Sequence, residues 1–383
     1  MIAVIADDLT GAAEIGGIGL QYGLKVEISQ QINSDSTADL LIINTDSRSK
    51  SRQDAVNAVA KACKNLKRLN PSFFYKKIDS VMRGHVLAEI ETELIILGWP
   101  RAIIASANPH LGRTLINNEY LIGGIPVHQT SFGIDPEFPV KSSDAAGMLK
   151  DERGIINVQK PHIEMLPSGV TVGEVSRAAD LNLWVNHCGK DVLPAGSGGF
   201  FSALLNTKLQ KVGTGKYNNA EINATALYVS GTTFGHNAER VKSLKANGGP
   251  VAYLPPSLLE DGQDAAAMTD WCDSAVTLIK KHGKAVMAIE QVASTTLKPN
   301  AAILRQTMAV GVQRVLQTVK VNELVIEGGS TASAILNRLH IDTLFPDHEF
   351  GHGIIRCSTM IAADLHVTLK PGSYPWSEKT WIF

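Results

Sequence analysis

The feature that most constrains this fold is an alternation: short apolar runs, each followed by a stretch whose apolar residues recur at helical spacing. In the N-terminal half the runs are Ile2–Ala6, Lys25–Ile28, Leu40–Asn44, Ser72–Lys77, Ala102–Ala105, Ile155–Asn157, Leu183–Asn186 and Val192–Ala195. Helix-period segments such as Gln53–Leu69 and Gly84–Leu97 lie between them. Strands apolar on both faces must be covered on both faces, and strands alternating with helices supply that cover. The expected fold class is therefore α/β, a doubly wound and mostly parallel sheet.

The alternation breaks once. Lys208–Asn223 (KLQKVGTGKYNNAEIN) is polar, carries Gly and Asn, has no apolar period, and reads as a linker. Strand candidates then resume at Ala226–Val229, Val251–Tyr253, Ala285–Ile289, Leu324–Ile326 and Leu365–Leu369. With 383 residues the chain exceeds one ordinary core, so two α/β domains are expected, 1–212 and 213–383.

Composition narrows the function. Apolar residues are 44% and charged residues 19%, as in soluble globular proteins. A formal charge of −1 leaves no surplus of Lys and Arg for nucleic-acid phosphates. Cys63, Cys188, Cys272 and Cys357 are scattered singly and read as buried thiols. The opening MIAVIADD has acids where a signal peptide needs a basic flank, and no run approaches the ~18 apolar residues of a membrane span. A cytoplasmic protein without membrane or nucleic-acid partners is expected; a homo-oligomer stays open.

Open α/β sheets bind ligands beyond the carboxyl ends of their strands. In the first domain those ends carry Asp7, Asp8 and Thr10; Asn44, Asp46, Ser47 and Arg48; Lys76, Lys77, Asp79, Ser80 and Arg83; and Ser106, Asn108, His110 and Arg113. Taken alone, Asp8 reads as a helix N-cap, Arg48 as a solvated loop charge and KKIDSVMRG as a strand-to-helix joint. Together they place paired acids and bases on several strand ends, which suits a small anionic polyol: Arg and Lys hold an acid group while Asp accepts from hydroxyls.

The second domain differs. Ser230-Gly231-Thr232-Thr233 and Glu327-Gly328-Gly329-Ser330-Thr331 are small-residue turns that lead from strands into helix patterns, and Lys370-Pro371-Gly372-Ser373 follows another strand. Such turns let backbone amides approach an anion at a helix N-terminus, so phosphate binding is the expectation. Other matches fail. His348-Glu349-Phe350-Gly351-His352 fits H-E-x-x-H, but Pro346, Gly351 and Gly353 argue for a loop rather than the helix that zinc chemistry needs. Gly215-Lys216 lacks the upstream Gly and downstream Ser/Thr of a Walker A loop, and Gly196-Ser197-Gly198-Gly199 reads as a closely packed strand-to-helix turn. The D-D-L-T-G after the first strand is not the G-x-G-x-x-G of a dehydrogenase.

With these residues assembled, the chain resembles the four-carbon acid sugar kinase family, once known only as a domain of unknown function. The matching stretches are ADDLTGA at 6–12, NTDSRS at 44–49, KKIDSVMRG at 76–84, GR at 112–113, GGIPVHQTSFGIDPEFPV at 123–140, AGSGGF at 195–200, YVSGTT at 228–233, VIEGGSTAS at 325–333 and LKPGSYP at 369–375. They run in family order along nearly the whole chain. The resemblance implies a two-domain kinase using ATP and Mg²⁺, which phosphorylates the terminal C4 hydroxyl of an acid sugar such as threonate or erythronate in an inter-domain cleft. It implies an acid-sugar site of Asp7, Asp8, Arg48, Lys77, Asp79 and Arg83, with Asp8, Asp79 and Arg83 as the catalytic candidates. It implies an ATP site of Ser230, Gly328, Gly329, Ser330, Thr331 and Gly372, and no resident metal ligand.

Departures are visible. The usual Gly-Asp-Thr-Ser of the second nucleotide loop is here Gly329-Ser330-Thr331-Ala332, and K-P-G-N-F-G is Lys370-Pro371-Gly372-Ser373-Tyr374-Pro375. S-T-L-R-G has become Ser80-Val81-Met82-Arg83-Gly84, followed by His85 in place of Asn. These changes keep two alternatives open: a divergent, non-catalytic sugar-acid or nucleotide-binding protein, and a kinase for a different sugar acid.

Overall fold

The computed structural model describes residues 1–135, 138–210, 220–231, 235–259, 262–290, 300–360 and 364–383. The chain divides into two compact units, Met1–Gly215 and Lys216–Phe383. Most of the expected linker, the Gly215-Lys216 pair, and Thr232 and Thr233 lie outside the described residues.

Unit 1 runs β1 (Ile2–Ala6), α1 (Leu9–Gln21), β2 (Val26–Ser29), β3 (Leu40–Asn44), α2 (Arg52–Arg68), β4 (Phe73–Lys77), α3 (Val86–Leu97) and β5 (Arg101–Ala105). It continues with β6 (Arg113–Ile116), β7 (Glu119–Ile122), β8 (Ile125–Pro126), α4 (Ala145–Leu149), β9 (Ile156–Gln159), β10 (Gly169–Gly173), α5 (Ala178–Val185), β11 (Val192–Gly196) and α6 (Gly198–Leu209). The main sheet has the order β2-β3-β1-β4-β11-β5-β10-β9, with every pair parallel. All five residues of β1 and of β3 are buried, the physical consequence of strands without a polar face. α2 turns Ala55, Val59, Ala62, Cys63 and Leu66 inward, starts on the Ser51 cap and ends on Lys67 and Arg68, which suit its dipole.

One strand expectation fails here. Leu183–Asn186 belongs to α5 and its C-cap, because Leu181, Trp184 and Val185 bury at helical spacing and Trp184 packs on Gly173. The antiparallel β6-β7-β8 sheet, inserted after β5, was not expected from sequence.

Unit 2 runs β12 (Ala226–Ser230), α7 (Gly235–Ala246), β13 (Val251–Tyr253), α8 (Ala265–His282), β14 (Lys284–Ala288), α9 (Ala301–Thr318), β15 (Glu323–Glu327), α10 (Gly329–Arg338), β16 (Thr343–Gly351), β17 (Ile354–Thr359) and β18 (His366–Lys370). Its strand order is β13-β14-β12-β15-β18-β17-β16; β17 runs antiparallel to both neighbours and the other pairs are parallel. The HEFGH segment is therefore strand through Gly351, not loop. β16 absorbs Pro346 and Gly351 as register shifts against β17. His348 meets Phe350 edge to face, and His352 stacks on Tyr374. Among the described residues no group of three or more His, Cys, Asp or Glu is placed to hold a metal ion. Nor is any helix among them long and apolar enough to cross a membrane.

Candidate functional site

In unit 1 the first strand lies inside the sheet, between β3 and β4. The chain leaves β1 in one direction through β2 and β3, then crosses back to β4, so a topological switch point opens at the carboxyl ends of β1 and β4. Asp7 and Asp8 leave β1 there, Arg48 follows β3, and Lys77, Asp79 and Arg83 end or follow β4.

The structure brings Asp7, Asp8, Arg48, Asp79 and Arg83 into one buried ion-pair network, with Lys77 close enough for its charge to act on Asp8. Arg48 bridges the strand ends: its Nε donates to Asp7 Oδ2 at 2.8 Å, one terminal nitrogen lies 3.0 Å from Asp8 Oδ1 and the other 3.7 Å from Asp79 Oδ1. Asp79 is gripped by Arg83 at both oxygens, each at 2.8 Å, and also accepts from the Val81 and Arg83 amides. Lys77 Nζ pairs with Glu14 of α1 at 3.2 Å. Asp8 is the expected helix cap and more: it caps α1 through the Gly11 amide at 2.9 Å, takes the Thr10 hydroxyl at 2.6 Å, and still pairs with Arg48. Arg48 is no solvated loop charge.

The network sorts the carboxylates. Burial raises Asp7 above its ordinary range, against the pull of Arg48, with Asp8 adding to the rise; among the described residues its Oδ1 has no hydrogen-bond partner. Burial also pushes Asp8 upward, but Arg48, Lys77 and its two hydrogen bonds outweigh it and leave it low. Arg83 and Arg48 overcome the same burial at Asp79 and hold it well below the usual carboxylate range.

Asp135, Phe132 and Tyr120, which sequence reasoning left outside the site, close it laterally together with the strand-end candidates Ser80 and Arg113. Asp135 pairs with the remaining Arg83 terminal nitrogen at 2.9 Å. The Phe132 ring lies 5.0 Å from the Arg83 guanidinium carbon and 5.6 Å from that of Arg113. Arg113 donates to the Ser80 hydroxyl, and Tyr120 donates to the Ser80 carbonyl. Phe132 and Asp135 sit in a family-like stretch, but only the fold shows what they touch. Lys76 points to the other side, buried with Glu89 at 2.6 Å and Glu93 at 3.7 Å, and His110 is exposed; neither joins the network.

Unit 2 builds its site from backbone. Ser230, Glu327 and Lys370 share one register row at the carboxyl ends of β12, β15 and β18. Glu327 accepts from Lys370 Nζ at 2.6 Å and from the Ser230 hydroxyl at 2.7 Å, so Ser230 braces the strand ends. Gly328 takes φ of +95°, and α10 starts at Gly329 without a side-chain cap, which leaves its first amides for an anion. Gly231 is required by proximity: a Cβ there would lie 2.4 Å from Thr331 Oγ1. Ser330 and Thr331 open α10, and the Gly372 carbonyl accepts from Asn237 of α7 at 2.9 Å.

Comparison with known proteins agrees with these two kinds of site. Residues 2–204 match the family described as a sugar-binding N-terminal domain, and residues 227–374 match a nucleotide-binding C-terminal domain. The chain belongs to the four-carbon acid sugar kinase family. The D-threonate kinase of Salmonella typhimurium is 36% identical over 149 residues, a match spanning 38% of this chain and 35% of that enzyme. The 3-oxo-tetronate kinase of Burkholderia multivorans is 21% identical over 98% of this chain and 94% of its own. A Haemophilus influenzae protein of a domain-of-unknown-function family shares the fold of this acid sugar kinase family member, with a TM-score of 0.70 over 97% of each chain and 18% identity.

Proposed function

We propose that this family member is an ATP-dependent kinase that phosphorylates the terminal C4 hydroxyl of a four-carbon acid sugar such as threonate or erythronate. The observation that carries this reading is one chain holding both a carboxylate-rich site at the β1/β4 switch point and an uncapped, glycine-led helix N-terminus at the end of β15. The first suits a hydroxyl-rich ligand and the second a polyphosphate. The kinase and tetronate names of the relatives point the same way.

Phosphoryl transfer needs an oriented hydroxyl and neutralised phosphate charge rather than a strong base. Asp7, Asp8, Asp79, Arg48, Lys77 and Arg83 form the acid-sugar side. Asp8 and Asp79 have their oxygens committed to amides, a hydroxyl and arginines, so they hold Arg48 and Arg83 in place. Asp7 keeps one oxygen unpartnered and is the more basic, which makes it the acceptor of the C4 hydroxyl proton. Lys77 and Arg83 place positive charge beside that hydroxyl.

On the nucleotide side the amides around Gly328, Gly329 and Gly372 and the hydroxyls of Ser330 and Thr331 hold the phosphates. Mg²⁺ would be held with the nucleotide by the Ser330 and Thr331 hydroxyls, since the 329–332 loop has no carboxylate, and would supply neutralisation of phosphate charge. All four cysteines are free and buried, which fits a reducing compartment such as the cytoplasm.

The same Ser330 loop supports a second reading, a sensor that binds both ligands without transfer. Incubation with ATP, Mg²⁺ and a panel of four- to six-carbon sugar acids separates the two. ADP release with a four-carbon acid is expected; ligand binding with no ADP from any acid would leave the sensor.

A further inference from the structure

The basic groups of the unit 1 network are all occupied. Arg48 holds Asp7, Asp8 and Asp79; Lys77 holds Glu14; Arg83 uses its three nitrogens on Asp79 and Asp135. Three cations thus face five carboxylates, and a region with that balance repels an incoming anion. A sugar acid nevertheless brings a carboxylate that must rest against positive charge.

Arg113 is the exception. It is 8% exposed, its Nε has no hydrogen-bond partner, and among the described residues no carboxylate lies within ion-pair distance of it. Its side-chain contacts are neutral: the Ser80 hydroxyl and the Phe132 face. A buried guanidinium without a counter-charge is costly unless something else supplies one. Its position fits the need. Phe132 spans Arg83 and Arg113, Ser80 directly follows Asp79, and the Arg113 amide is tied to the Asn108 carbonyl at 3.1 Å beyond β5.

We propose that Arg113, assisted by the Ser80 hydroxyl, receives the carboxylate of the sugar acid and thereby turns its hydroxyl end toward the aspartates. The inference rests on reading unit 1 as a sugar-acid site. It makes Arg113 the residue that selects acids over neutral polyols, and leaves Arg48, Lys77 and Arg83, each paired with carboxylates, at the hydroxyl end.

The test measures steady-state kinetics and calorimetric binding of threonate, erythronate and the uncharged tetritol of equal length, on the full chain and on R113M and R113K. For R113M the KM and Kd for the acid should rise about 100-fold, the cost of removing one partner from a desolvated charge pair. The KM for ATP should stay within about twofold of wild type, and tetritol binding should not change. R113K keeps the charge but not the planar fork and should recover about tenfold of the loss. Should R113M fail to fold, R113K carries the comparison, with weaker acid binding and unaltered tetritol binding expected. Acid binding within threefold of wild type, or equal loss for acid and tetritol, overturns the proposal. Wild-type protein that binds the acids through Arg113 but releases no ADP would sink the kinase reading and leave this one standing.

Discussion

The two units wind their first strands alike and build opposite kinds of site on them. Unit 1 has the local order β2-β3-β1-β4 and unit 2 has β13-β14-β12-β15, so in each the first strand lies between the third and the fourth. At that shared switch point unit 1 concentrates charged side chains, whereas unit 2 offers glycine turns and a helix N-terminus above one buried Lys–Glu–Ser row. Topology sets where a ligand can sit, and the residues of the loops decide which ligand it is. A charge network is also fragile in a way that a backbone cradle is not, since each buried ion depends on its partner.

That difference is open to attack at Arg48. Arg48→Met would leave Asp7, Asp8 and Asp79 short of a common cation in a buried setting. A loss of about 3–5 kcal/mol is expected, read as a lower urea midpoint. Glu327→Ala, which strands Lys370, tests whether this fully buried pair of unit 2 matters as much. If Arg48→Met unfolds at the wild-type midpoint, the network serves binding alone.

Two buried groups, one in each unit, should contribute to the pH dependence of stability in opposite senses. Beneath the unit 1 site, burial raises Glu93 to about 8 from an ordinary 4.5, despite Lys76. Between those values the folded state keeps a proton that the unfolded chain has released, so stability falls as pH rises through that window and levels off above it. The slope can approach about 1.4 kcal/mol per pH unit for one group. Glu93→Gln should flatten it, as measured by urea unfolding at several pH values. In unit 2, burial lowers Lys370 below its ordinary 10.5 even with Glu327 beside it. Its effect is the reverse: stability rises with pH as the unfolded lysine alone still binds a proton. A Glu93→Gln profile that tracks wild type would show that the Lys76 cluster does not titrate with folding.

The contrast between the sites also explains what was legible in the sequence. Buried parallel strands announce themselves by continuous apolar runs, and the strand-end motifs followed directly: Asp7, Asp8, Arg48, Lys77, Asp79 and Arg83 come together as expected. The antiparallel pieces were illegible. β6 to β8 are two to four residues long, and β16 carries Pro and Gly at register shifts, so neither shows a clean period of two. Phe132 and Asp135 are not marked as site residues by anything local, because sequence does not show an aromatic ring that will lie against two arginines, whereas Arg113 stands among the strand-end candidates. The Ser230 hydroxyl donates to Glu327, a contact between strands that sequence distance hides.

A smaller probe addresses the cradle. In Gly231→Ala the new Cβ would meet the Thr331 hydroxyl at 2.4 Å, and Thr331 would have to turn from the start of α10. A KM for ATP about tenfold higher is expected, near 1.4 kcal/mol, with sugar-acid binding unchanged. A matching loss of acid binding would contradict the division of labour between the units.

The smallest effect should fall on neither site. The Ser51 hydroxyl caps α2 by accepting from the Asp54 amide at 3.2 Å, and α2 begins only a few residues after Arg48. Ser51→Ala should cost about 1 kcal/mol of unfolding free energy, the ordinary value of a lost N-cap. Since Arg48 is fixed by Asp7, Asp8 and Asp79 rather than by the helix, the kinetic constants for both ligands should remain those of wild type. Calorimetric titration of the sugar acid into Ser51→Ala checks this. A clear loss of affinity there would mean that the helix start, and not the ion pairs, sets the position of Arg48.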